Sequence, residues 1–147
     1  MAKPLVAFLT DFGTRDHYAS VMKGVVLSIN PDATLVDLSH DLPPHDVVFA
    51  AHELMAIYRF YPAGAIFVVV IDPGVGSPRR AIAAEAGDWR FVAPDNGVLT
   101  GVFQETPPKK IVELTDSLIN LPIQKRSWLK LTGYLRSIYP HNYSGSV

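Results

Sequence analysis

The chain has 147 residues, enough for one domain, and 48% of them are hydrophobic, enough for a core of real size. There is no cysteine, which excludes disulfides and thiolate metal sites, and the net charge of −1 argues against non-specific nucleic-acid binding. No apolar run is long enough to span a bilayer, and Met1-Ala2-Lys3-Pro4 lacks a signal-peptide design, so a cytoplasmic location with no membrane partner is expected.

Residues 5–9 are an apolar run that reads as a first buried strand, ending at Thr10-Asp11-Phe12-Gly13. Tyr18, Val21, Met22, Val25 and Ile29 then recur at helical spacing, with Asp16 as the start signal and Asn30-Pro31 as the stop. Residues 34–38 read as a second strand. Asp46 can cap a helix whose apolar face holds Val47, Ala50, Leu54, Ile57 and Tyr58, and Pro62 and Gly64 end it. The all-apolar, β-branched run 65–71 predicts a strand buried on both faces. Residues 81–86 and 90–93 flank Gly87-Asp88, a pair that suits a tight hairpin. Pro94-Asp95-Asn96-Gly97 is a turn signal, followed by a short helix over 98–103 and a last strand over 110–114. This alternation predicts an α/β fold: a mostly parallel sheet flanked by helices on both faces, a Rossmann-like three-layer arrangement.

Polar clusters fall at the strand ends: Thr10-Asp11, Ser39-His40-Asp41, Asp72 and Asp95-Asn96. In open α/β sheets ligands bind beyond the carboxyl ends of the strands, so Asp72 and Arg79, on a loop stiffened by Pro73 and Pro78, stand where chemistry is usually done. The plainer alternative is a polar surface loop. Asp11 can hold the two hydroxyls of a ribose, serve as a phosphatase nucleophile, or cap a turn; Gly13 stands where aspartate phosphatases place a second acid, which weakens the second option. Gly74-Val75-Gly76 lacks the third glycine of a dinucleotide fingerprint and the Lys-Ser/Thr of a P-loop, so Gly74 is read as allowing close backbone approach to a ligand. None of the five histidines falls in a zinc pattern; His52 reads as an ordinary helix residue, and His40 and His45 as candidates for lining a pocket.

All 14 acidic residues lie at or before Asp116, leaving residues 1–116 at −5 and the remainder at +4. The expected organisation is an α/β domain over 1–116 and an atypical tail over 117–147, read as frame-shifted, unrelated or disordered.

Taken together, residues 9–16 (with Thr10-Asp11-Phe12-Gly13 at their centre), Asn30-Pro31, Asp37-Leu38-Ser39-His40, Ile71-Asp72-Pro73-Gly74-Val75-Gly76, Arg79 and Ala93-Pro94-Asp95-Asn96-Gly97 resemble the amino-terminal domain of the S-adenosyl-L-methionine hydroxide adenosyltransferases, the SAM hydrolases related to fluorinases and chlorinases. The resemblance covers residues 4 to about 116. It implies water attack at ribose C5′ of S-adenosylmethionine, giving adenosine and L-methionine, with no metal or redox cofactor. It implies catalytic roles for Asp72 and Arg79 as two members of an Asp-Arg-His set, and substrate binding by Asp11 (ribose), Asp16 (methionine amine), His45, Gly74 and Asn96. Fluorinating relatives carry Tyr and Thr where this chain has Asp72 and Val75, which favours water over halide. The family also implies a homotrimer in which a carboxyl-terminal β-barrel closes the adenine pocket of a neighbour. Neither that barrel nor the His-bearing segment is recognisable after Asp116, so the chain is expected to carry half a site. A non-catalytic nucleoside-binding or assembly module is the alternative, and a nucleotide phosphatase a weaker third.

Overall fold

The computed structural model describes residues 3–74 and 77–114. The expectations for residues 117–147 lie outside the described residues.

Six strands form one sheet: β1 (Leu5–Thr10), β2 (Thr34–Ser39), β3 (Ile66–Val70), β4 (Ala81–Ala86), β5 (Trp89–Pro94) and β6 (Pro108–Glu113), in the order β2-β1-β3-β5-β4-β6. β1 pairs in parallel with β2 and β3, and β3 with β5; β4 is antiparallel to both β5 and β6. Five strands therefore share one direction and β4 alone opposes them, matching the mostly parallel sheet expected. The helices are α1 (Tyr18–Ile29), α2 (Val47–Ile57) and α3 (Thr100–Glu105), with a 3₁₀ turn at Tyr58–Phe60.

The two faces of the sheet carry separate cores, as strand alternation requires. Val6, Phe8, Ile66, Val68, Ala83 and Val92 pack with Met22 and Val26 of α1. Ala7, Leu9, Phe67, Val69, Phe91 and Ala93 pack with Ala50 and Leu54 of α2 and Val102 of α3. Because β1 and β3 are covered on both faces, they read as unbroken apolar runs. The second core is aromatic: Phe67 stacks on Phe91 at 5.3 Å, and Tyr58 meets Trp89 and Phe91 edge-on at 5.1 and 5.9 Å. Each such ring contributes about 1.5–3 kcal/mol by burial. At the end of the α2 segment, the Tyr58 hydroxyl is bonded to Thr106 Oγ1 at 2.8 Å and donates to Glu105 at 3.2 Å.

Asp46 caps α2 as expected, its Oδ1 accepting from Phe49 N at 2.9 Å. Asp16 accepts from Tyr18 N at 3.2 Å at the entrance to α1. Between β4 and β5, Gly87-Asp88 forms the hairpin turn with Gly87 at φ +58, and a Cβ there would meet Thr106 Cγ2 at 2.9 Å. Thr106 is pinned by its bond to Tyr58 and has little room to yield. Gly87→Ala is therefore expected to cost about 2 kcal/mol, from the left-handed backbone and the displaced methyl together. Thermal unfolding monitored by circular dichroism measures it, and an unchanged midpoint contradicts the account.

Candidate functional site

The chain runs from β1 to β2 on one side of β1 and then returns to β3 on its other side, so the topological switch point lies between β1 and β3. Thr10 is in register with Val70, which puts Asp11 and Asp72 at the carboxyl ends of neighbouring strands, on either side of that crevice. The direction of β4 brings its first residue, and hence the Arg79-Arg80 segment before it, to the same edge. Leu114 also ends there, its N–H donating to Ala81 O at 2.8 Å.

Asp72 is buried, and its Oδ2 forms an ion pair with Arg79 Nη2; the two side chains are 5% and 21% exposed. Gly74 N donates to Asp72 Oδ1 at 3.1 Å, folding the loop back over the carboxylate. A Cβ on Gly74 would lie 3.1 Å from Ser77 Oγ and in ordinary contact with Asp72 Oδ1 at 3.5 Å, so a side chain there requires the Ser77 hydroxyl to give way. Arg79 Nη1 donates to Arg80 O at 2.7 Å, while its Nε is buried with no hydrogen-bond partner among the described residues. Burial lowers the Arg79 pKa and Asp95 pulls it back up; a guanidinium so placed stays charged at neutral pH. Asp95 itself pairs with Arg80, accepting from Nη2 at 2.7 Å and Nε at 3.1 Å.

Asn96 braces this corner. Its Nδ2 donates to Ile71 O at 2.9 Å and its Oδ1 accepts from Val98 N at 3.2 Å. The amide thus ties the end of β3 to the turn before α3, immediately next to Asp72. Asp11 Oδ2 accepts from His45 N at 2.7 Å, holding His45 in the left-handed region at φ +63. Among the described residues, Asp11 Oδ1 takes no hydrogen bond.

Five of the seven expected site residues thus fall into two contacting groups across the crevice, Asp72-Gly74-Arg79 and Asp11-His45; Asn96 braces the first. Asp16 forms no hydrogen bond to either group; it is exposed and accepts from Tyr18 N at the start of α1. His52 is an exposed helix residue, lining a cleft of about 320 Å³ between α2 and α3 that touches the site only through Asn96.

The structure adds Lys23, which the sequence did not single out, and joins it to Asp37, His40 and Thr10 of the motifs that it did. Lys23 Nζ lies 2.5 Å from Asp37 Oδ2, Asp37 Oδ1 lies 2.9 Å from His40 Nε2, and His40 Nδ1 lies 2.8 Å from Thr10 Oγ1. Burial works against the charge on Asp37, but Lys23 and His40 together outweigh it and hold its pKa below the ordinary 3.8. A lysine on the helix crossing over from β1 to the acid within β2 was the available signal for Lys23.

Among the described residues, no three His, Asp or Glu side chains converge as a metal-ligand set, and no helix is long and apolar enough to cross a membrane. Carboxylates and a guanidinium at the switch point of an α/β sheet are groups suited to a small molecule held by hydrogen bonds and ion pairs. The chain belongs to the SAM hydroxide adenosyltransferase family, matching the description of its N-terminal domain over residues 6–132. It is 45% identical over 105 residues to the (R)-S-adenosyl-L-methionine hydrolase of Thermus thermophilus, covering 71% of this chain and 41% of that protein. It is 35% identical over 117 residues to the enzyme of the same name from Methanocaldococcus jannaschii, covering 76% and 44%. The fold is similar to the crystal structure of an uncharacterized conserved protein from Thermotoga maritima, with a TM-score of 0.82 and 34% identity, covering 96% of this chain and 57% of that one. The chain thus spans about two fifths of the length of the curated relatives it matches.

Proposed function

We propose that this chain acts in the hydrolysis of S-adenosyl-L-methionine to adenosine and L-methionine. The observation that carries the reading is the buried Asp72–Arg79 pair at the switch point, across the crevice from Asp11, in a chain of this family. The sulfonium is already a good leaving group, so the work left to the protein is to hold a water in line with the C5′–S bond. Asp72 orients that water and takes its proton, passing it to solvent. The water oxygen forms the new bond to C5′, the C5′–S bond breaks, and its electron pair returns to sulfur as the neutral thioether of methionine. Arg79 fixes Asp72 by a charge-assisted contact. Asp11 accepts from the ribose hydroxyls, Asp16 takes the methionine amine, Gly74 gives close backbone approach, and His45 and Asn96 shape the walls.

The reaction so written needs no metal or redox cofactor. A homotrimer in the cytoplasm, with no nucleic-acid partner, belongs to the same reading; the absence of cysteine and the near-neutral charge support the last two points.

The test is to incubate the purified chain with S-adenosylmethionine, with and without EDTA, and to separate adenosine and methionine chromatographically. Release above the spontaneous rate, equal in both samples, is expected. Release that needs a divalent cation overturns the mechanism. Adenosine binding without release favours the non-catalytic nucleoside-binding reading.

A further inference from the structure

A buried Thr–His pair at the end of a core strand is costly unless its polar atoms are satisfied in one arrangement. Here they are. Thr10 is fully buried and His40 is 6% exposed. Asp37 as a carboxylate only accepts, so His40 Nε2 donates to it. In the neutral ring Nδ1 is then the acceptor, and the Thr10 hydroxyl donates to it. That leaves the lone pairs of Thr10 Oγ1 to receive Phe12 N–H at 3.3 Å. The backbone of the same histidine takes the next amide, Gly13 N donating to His40 O at 2.7 Å. Asp11 lies between Thr10 and Phe12, so it is gripped on both sides. Lys23 closes the far end of the row at the surface.

We propose that the row Lys23–Asp37–His40–Thr10 is a positioning device that sets the Asp11–Gly13 turn and so aims the Asp11 carboxylate at its ligand. The proposal rests on the nucleoside reading only for the identity of that ligand. None of the four residues is catalytic; they act through Asp11.

The test uses Asp37→Ala, which removes the acceptor of His40 Nε2 at a partly exposed position that does not touch Phe12, together with Thr10→Val and the hydroxyl-retaining Thr10→Ser. Amide hydrogen exchange by NMR and calorimetric titration with adenosine are measured on the whole chain. Both Asp37→Ala and Thr10→Val are expected to speed exchange at Phe12 and Gly13 about tenfold, and to weaken adenosine binding by a similar factor, the effect of losing one hydrogen bond. Thr10→Ser should restore both, and the β3 amides should keep their protection in all three. Where turnover is measured, KM rises and kcat stays. Normal exchange at Phe12 in Asp37→Ala overturns the proposal, as does a uniform loss of protection through the core. Failure of the unsubstituted chain to bind adenosine, with the exchange pattern as expected, sinks the nucleoside reading and leaves the positioning device standing.

Discussion

Asp72→Asn is expected to lower the rate of adenosine release by about 10²–10⁴-fold, the usual worth of a positioned general base. Asparagine has the same shape, and its amide oxygen can still accept from Gly74 N, so the loop keeps its course. What disappears is the charge that orients water and receives its proton. The measurement is release of adenosine and methionine from S-adenosylmethionine, with circular dichroism to verify the fold. Adenosine affinity should change little, because Asp11 and not Asp72 is assigned the ribose. A variant that folds and turns over at the original rate removes Asp72 from the mechanism.

Arg79→Met is expected to destabilise the domain by about 3 kcal/mol, because it strands a buried carboxylate without its cation. For a domain of this size that is a fall in melting temperature of more than about 10 °C. The estimate sits at the low end for buried pairs because Arg79 keeps a fifth of its side chain in contact with solvent. The double variant Asp72→Asn/Arg79→Met should recover most of the lost stability while remaining inactive, since it removes charge and countercharge together. Recovery separates the ion pair from any packing role of the Arg79 stem. If the single variant melts with the unsubstituted chain, the pair does not hold the loop.

The order of elements was legible from local chemistry. β3 stands out because both of its faces are covered, which removes every polar residue from 66–70. The helix ends follow from Asp16, Asn30-Pro31 and Asp46, whose side chains or ring act on their own neighbours. The hairpin at Gly87-Asp88 is equally local. β6 was read as the last strand, yet its place at the sheet edge, outside β4, is a pairing that no local signal encodes.

For the site, local residue order sets which residue types stand at which strand ends: Asp11 after β1, His40 after β2, Asp72 after β3, Asn96 after β5. It does so because strand termini are marked by where apolar runs stop and Gly, Pro and polar residues begin. Tertiary structure alone decided which ends meet. Sheet order placed β1 beside β3 and so set Asp11 across from Asp72. It also joined Thr10 to His40, 30 residues on, Lys23 to Asp37 across a helix, and Arg80 to Asp95 across a hairpin. Such pairings depend on register and crossover between distant segments. A hydrogen bond needs its partners within about 3 Å, and separation along the chain carries no information on that scale.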